Sequence, residues 1–191
     1  MLIDYLTPHY LVAAFLWGAL YLCDYFLTLR SATVYLQGAH ERIIFQRGLE
    51  LNPVFADDIA RRRRFSIRFF GFYTLGMICL IAFGAFLDPL IYEGVLGALL
   101  LEWITIDLRH IQNLWYFRLL GQSNQVTGKI EYTYSFSLRV SGTDLLKFAA
   151  IYLFCAVVTE RVFFLGGAVA CSLLALRQFM LARRAAKVKP V

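Results

Sequence analysis

Charged side chains are scarce in this sequence. Asp, Glu, Lys and Arg make up 17% of its 191 residues, whereas hydrophobic residues make up 60%. A water-soluble domain usually contains about 25% charged residues, so this chain has too few to cover a soluble surface. Prolines are also scarce, four in all, so few of them interrupt the long apolar runs. The composition excludes an ordinary soluble domain and predicts an all-α integral membrane protein in a lipid bilayer.

The sequence also lacks the short motifs of common enzyme and nucleotide sites. It contains no Walker loop, no H-E-x-x-H, no G-x-S-x-G and no dinucleotide fingerprint, and it identifies no cofactor. Its four cysteines lie in apolar runs and include no C-x-x-C pair, which favours buried thiols over disulfides or thiolate metal ligands. The net charge of +6 is attributed to basic loops, and no nucleic-acid partner is predicted.

Five apolar runs predict a bundle of about five membrane-spanning helices, since a span needs about 20 residues. The predicted spans are residues 10–29, 65–87, 90–113, 145–159 and 162–181 of a single membrane domain covering 1–191, with a cytoplasmic loop at 114–144. The fourth run is short, so four spans and a re-entrant segment form an alternative.

Basic residues are distributed unevenly between the two ends of these spans. They concentrate in residues 30–64, 109–147 and the tail after 181, whereas the opposite side carries only Arg161. The positive-inside rule then places the N-terminus outside and the C-terminus in the cytoplasm, across the inner (plasma) membrane of a bacterial cell. The run at 61–64 is interpreted as an anchor against anionic headgroups.

Residues 130–140 alternate between apolar and polar side chains in the sequence IEYTYSFSLRV. This period of two predicts a half-buried β segment in the cytoplasmic loop, with Ser141 or Thr143 capping the next helix. A lone strand needs a partner. An internal hairpin and pairing with a second subunit or a membrane-complex partner through 130–140 both remain open.

Polar side chains interrupt the third predicted span: Glu102, Asp107, Arg109, His110 and Asn113. At about 100° per residue, Glu102, Arg109 and Asn113 share one stripe, His110 lies beside it and Asp107 points elsewhere. Glu102 is expected to face the bundle interior or to hold a proton, because a lone charge at that depth is costly. The other four are interpreted as an interfacial hydrogen-bond cluster. In a weaker interpretation Asp107 and His110 share a metal ion.

The first predicted span carries one polar-edged stripe: Trp17, Tyr21, Asp24 and Thr28. A carboxylate within an apolar run needs a polar partner, so Asp24 is expected to face protein rather than lipid. Arg68, one turn into the second span, is the first expected partner, and residues 50–52 are the second.

The segment between the first two spans contains GLELNP at residues 48–53. Asn52 suits an N-cap and Pro53 suits the first helical position. DYFLT at 24–28, followed by this segment, resembles a D-x-x-x-T then E-x-N-P pattern of small uncharacterised prokaryotic polytopic membrane proteins. The match covers the first third of the chain. The resemblance implies a linked group of residues, Asp24, Thr28, Glu50, Asn52 and Pro53, and it implies no activity.

Three functions fit these observations. The first is a non-enzymatic bundle that binds or passes a small ion or solute, alone or as an oligomer. Its candidate ligand-binding residues are Asp24, Thr28, Glu50, Asn52, Glu102, Asp107, His110 and Asn113, with Arg68 and Arg109 as pairing residues. The second is a structural or accessory subunit of a membrane complex, whose polar groups only hold helices together. The third is an intramembrane metal-dependent hydrolase that uses Asp107 and His110.

The orientation is testable by labelling. In a background without the native cysteines, we expect a membrane-impermeant thiol reagent to label a cysteine at position 5 from outside the cell and one at position 188 only after the membrane is opened. Labelling of both positions from the same side would contradict the predicted topology.

Overall fold

Helices dominate the computed structural model, which describes residues 2–46, 54–122 and 127–187. In chain order these residues form α1 (Leu2–Leu6), α2 (Tyr10–Leu36), a 3-10 turn (Ala39–Glu41), β1 (Ile43–Phe45), α3 (Ala56–Ala60), α4 (Ile67–Phe86), α5 (Pro89–Gln122), β2 (Ile130–Tyr132), α6 (Tyr134–Thr159) and α7 (Val162–Ala186). Five of them, α2, α4, α5, α6 and α7, are long and apolar enough to cross a membrane, in agreement with the five predicted spans. The fourth, α6, has 26 residues, so the short predicted span at 145–159 was wrong in its start.

The helices pack in an order that differs from their order in the chain. The contacts run from α4 to α2, from α2 to α5, from α5 to α7 and from α7 to α6. The central helix is therefore α5, and its Tyr92, Leu96 and Leu100 are almost completely buried. The outer helix α4 buries only Phe69 and Leu80, so most of its surface is available to lipid.

The backbones of α5 and α7 touch each other. A Cβ atom at Gly166 would lie 1.9 Å from the carbonyl oxygen of Gly94, and one at Gly97 would lie 1.8 Å from that of Phe163. Small residues allow this approach, and close van der Waals packing is a main source of helix association in a bilayer, where the hydrophobic effect between helices is absent. Glycine is thus required at these contact points.

Aromatic side chains fill the opposite flank of the bundle, between α2 and α4. A Cβ at Gly76 would lie 2.1 Å from the Trp17 ring, and one at Gly84 would lie 2.2 Å from Cβ of Tyr10. The α4 glycines therefore form shallow seats for large α2 side chains. This packing explains why Trp17 of the predicted α2 stripe faces protein.

The prediction of one β segment over 130–140 was wrong. Only Ile130–Tyr132 is a strand, and it pairs in parallel with Ile43–Phe45 of the same chain. The Thr133 hydroxyl accepts a hydrogen bond from the Phe136 amide at 3.2 Å and caps α6, so neither Ser141 nor Thr143 is the cap.

The physical reason is the packing of α6 along α7. Leu138, Ser141, Gly142 and Leu145 are buried, a spacing typical of one helix face. The Ser135 hydroxyl also donates to the Ala182 carbonyl at 3.0 Å. These contacts outweigh the local alternation, and the extended stretch that would have paired with a second chain is absent from residues 133–140.

Ion pairs and caps close the two ends of the bundle. At one end Arg161 contacts Asp4 and lies 3.6 Å from Glu93, whose carboxylate accepts the Phe163 amide at 3.2 Å. At the other end, beside the basic run, Asp58 accepts a 2.6 Å hydrogen bond from the Ser66 hydroxyl, which caps α4. The direction of these ends relative to the cytoplasm stays a prediction.

The close contact between α5 and α7 predicts a large effect of a small substitution. We expect Gly97→Ala to lower the free energy of unfolding by about 1–3 kcal/mol, because the added methyl group overlaps a backbone carbonyl. Gly71→Ala on α4 is the matched control, since a Cβ there meets no atom within 4 Å. Unfolding of the purified protein in detergent measures both, and equal stability of Gly97→Ala and wild type would refute the contact.

Candidate functional site

Four polar side chains meet between α2 and α5, and we call them the α2–α5 polar site: Asp24, Thr28, Asp107 and His110. The Nε2 atom of His110 lies 3.0 Å from Oδ1 of Asp24 and 3.2 Å from Oγ1 of Thr28. The spacing of four residues on α2 and three on α5 brings each pair to one helix face. Asp24 therefore faces protein and contacts a polar group.

The site is fixed by contacts on both of its sides along α2. Before the site in α2, the Tyr21 ring packs edge-on against Trp103 of α5, with ring centroids 4.6 Å apart. After the site in α2, the Ser31 hydroxyl donates to the His110 carbonyl at 3.5 Å. The polar site thus occupies a defined place in a packed helix interface.

Two carboxylate oxygens of this site are buried without a hydrogen-bond partner among the described residues. They are Oδ1 of Asp24 and Oδ1 of Asp107. The contact of Asp24 with His110 is close enough for an ion pair but is not aligned as a hydrogen bond. Asp107 lies three residues before His110 on α5, and its side chain is buried.

Asp107 also borders an open groove on the surface of the bundle. The groove has a volume of about 610 Å³, and its other lining residues include Leu20, Phe26, Ile104 and Leu108. Almost all of its walls are apolar. Among the described residues that line it, Asp107 is the only acid. The site therefore borders this groove through Asp107.

A second polar cluster joins α5 to α6 and α7. The hydroxyls of Thr105 and Tyr152 lie 2.8 Å apart, and the Tyr152 hydroxyl also approaches the Leu101 carbonyl at 3.3 Å. The Cys171 thiol lies 3.9 Å from Thr105 Oγ1. Every member has a partner, so this cluster holds the helices together. The sequence analysis missed it, because spacing within one helix does not reveal a hydroxyl pair between two helices.

The predicted stripe of Glu102, Arg109 and Asn113 does not form one site. Arg109 donates from Nη2 to the Ser141 hydroxyl at 2.9 Å, toward α6. Glu102 is partly buried and makes no hydrogen bond or ion pair within residues 2–46, 54–122 and 127–187. Asn113 is exposed and lines, together with Arg109, a cavity to which Glu102 does not contribute. The expected interfacial cluster was wrong, since α5 sends Asp107 and His110 to one neighbour and Arg109 to another.

The expected Asp24–Arg68 ion pair was also wrong. Arg68 lies on the exposed side of α4, where its guanidinium donates to the Val54 carbonyl at 3.5 Å. The neighbouring Phe69 takes the inward position and packs on Tyr25, with ring centroids 4.2 Å apart. Glu50 and Asn52 lie outside the described residues, so their expected place beside Asp24 stays a prediction.

The Asp107–His110 pair does not find a third metal ligand in the part of the chain that the structure describes. No group of three His, Cys, Asp or Glu residues is arranged there to hold a metal ion. A catalytic zinc site requires three protein ligands with an open fourth position. The described side chains therefore give the hydrolase hypothesis no metal centre.

No family model, curated protein or solved structure matches this chain. The resemblance of residues 24–53 to a family pattern stays a prediction.

The contact between α2 and α5 predicts energetic coupling. We expect Asp24→Asn and His110→Gln, measured singly and together, to show a coupling energy of about 0.5–3 kcal/mol in the free energy of unfolding, because residues in direct contact are energetically coupled. Asp24→Asn combined with Asp57→Asn, an exposed acid of α3, is the control cycle and should be additive. Additive behaviour of the Asp24–His110 cycle would contradict the contact.

Proposed function

We propose that this chain is a non-enzymatic polytopic membrane protein that binds and passes a small cation at the α2–α5 polar site, and that the cation is the proton. The observation that carries this proposal is that two buried carboxylate oxygens, Oδ1 of Asp24 and Oδ1 of Asp107, have no hydrogen-bond partner among the described residues, while His110 Nε2 lies 3.0 Å from Asp24. Ionisable groups within a membrane segment mark ion and proton pathways by default.

Charge balance supports a bound cation at this site. With both carboxylates ionised and the imidazole neutral, the site carries two negative charges in a region of low dielectric. Ionised groups there cost several kcal/mol unless they are compensated. No Lys or Arg among the described residues pairs with Asp24 or Asp107. Protons shared among the three groups supply the missing positive charge.

The chemistry of the ligands favours the proton over a metal ion. The site offers an imidazole, a hydroxyl and two carboxylates but no convergent set of three metal-binding residues in the described ranges. Histidine exchanges protons near neutral pH more readily than any other side chain. The four side chains of the site all come from one chain.

Transport in liposomes tests the proposal. We expect the purified protein, reconstituted with a pH-sensitive dye inside the vesicles, to dissipate an imposed pH difference faster than empty vesicles when valinomycin and potassium prevent charge build-up. Asp24→Asn and Asp107→Asn should reduce the protein-dependent rate by at least about tenfold, since each removes a proton-binding group. Asp57→Asn, which changes an exposed acid outside the site, should retain the rate of the wild type.

The same variants separate this proposal from an accessory role. If the polar site only holds α2 to α5, the wild type should show no proton transport, and Asp24→Asn should change only the thermal stability. A wild-type protein that gives no proton flux, or an Asp24→Asn protein that retains the full flux, would overturn the proposal. Sodium or potassium flux without proton flux would overturn the choice of the proton.

A further inference from the structure

A second cavity lies near the basic end of the bundle, away from the α2–α5 polar site. It has a volume of about 300 Å³ and lies between α5, α6 and the two strands. Its polar lining comes from Arg109, Gln112, Asn113, Ser141 and Asp144. Its apolar lining includes Phe45, Phe117 and Tyr132. A small volume, apolar walls and a few convergent polar groups are typical of a small-ligand site.

Arg109 is the basic side chain of this cavity, and among the described residues no acid lies within ion-pair distance of it, although the charge of Asp144 acts on it from farther away. A guanidinium has five N–H donors, and the structure gives this one a single hydrogen bond, to the neutral Ser141 hydroxyl at 2.9 Å. None of the ion pairs among the described residues includes Arg109. The one acid in the cavity lining, Asp144, is held at 2.8 Å by Lys147. The cavity therefore presents an arginine whose charge is only partly balanced.

We infer that this cavity binds a phosphate group through Arg109. Arginine recognises phosphate through paired N–H donors, which a planar guanidinium presents in a fixed geometry. The Gln112 and Asn113 amides and the Ser141 hydroxyl supply further donors around the same space. Lys147 offsets the negative charge of Asp144, so an anion that enters the cavity meets a net positive environment.

Two sources supply this chemistry at the end of a membrane bundle. A lipid headgroup reaches the cavity with its phosphate at the interface and its acyl chains in the bilayer. A soluble phosphate or phosphate ester reaches it from water. Both place the phosphate oxygens on Arg109, so the shared ligand is the phosphate group and the experiment distinguishes its origin.

Binding to the purified full chain in detergent tests the inference. One arm titrates inorganic phosphate against chloride at equal ionic strength, and the other compares micelles that contain phosphatidylglycerol with micelles of phosphatidylcholine alone. The readouts are the shift in thermal unfolding and, for the lipid, the number of lipids retained in native mass spectrometry. We expect the wild type to be stabilised in at least one arm and to retain the corresponding ligand.

Variants assign the effect to the cavity. Arg109→Gln should weaken the binding at least tenfold, and Arg109→Lys should weaken it less, because lysine keeps the charge but not the paired donors. Arg139→Gln is the matched control, since Arg139 is an exposed arginine of α6 outside the cavity lining. Asp144→Asn should leave the binding unchanged or strengthen it, because it removes negative charge near the anion.

Each contrary result overturns the inference. Absence of wild-type binding in both arms would do so. Equal binding by Arg109→Gln and wild type would assign any effect to the general basic surface. Loss of binding in Asp144→Asn would show that the cavity takes a cationic group instead. If Arg109→Gln does not fold, Arg109→Lys and Asp144→Asn decide the question in its place.

Discussion

The α5 helix has polar side chains on two of its flanks within a bundle made mainly of apolar residues, and the need to satisfy them determines which helices surround it. On one flank His110 meets Asp24 of α2. On the other, the Thr105 hydroxyl forms a hydrogen bond with the Tyr152 hydroxyl of α6, and α5 also contacts the backbone of α7. A polar group left without a partner in hydrocarbon costs several kcal/mol. An arrangement that places α2 and α6 on opposite flanks of α5 gives the polar side chains of both flanks a polar neighbour.

The two flanks differ in how completely their polar groups are paired. The α6–α7 flank combines the Thr105–Tyr152 hydrogen bond with glycine contacts at Gly94 and Gly97 that bring two backbones together. Its parts fit without an unpartnered side-chain oxygen at Thr105 or Tyr152. The α2 flank retains the buried oxygens of Asp24 and Asp107. The polar groups are thus less completely paired on the α2 flank than on the α6–α7 flank.

The sequence was sufficient to predict the five helices long and apolar enough to cross a membrane and the inward direction of Asp24. Long apolar runs and the cost of a carboxylate in lipid decide both, and neither depends on knowing the neighbours. The partner of Asp24 could not be predicted in this way. It depends on α5 packing beside α2, and the order of the helices in the sequence does not show which helices pack together. The prediction of a strand at residues 134–140 was wrong for a related reason. Their apolar residues also fit one face of a helix, and packing against α7 favours the helix.

The geometry at His110 distinguishes the α2–α5 polar site from the cluster of Thr105 and Tyr152. One nitrogen, Nε2, lies 3.0 Å from Asp24 and 3.2 Å from Thr28. The Thr28 hydroxyl takes the hydrogen-bonding position at Nε2, and Oδ1 of Asp24 lies close to the same atom without a hydrogen bond. The hydroxyls of Thr105 and Tyr152, in contrast, hydrogen-bond to each other. The proposed binding of a proton rests on this difference between the two clusters.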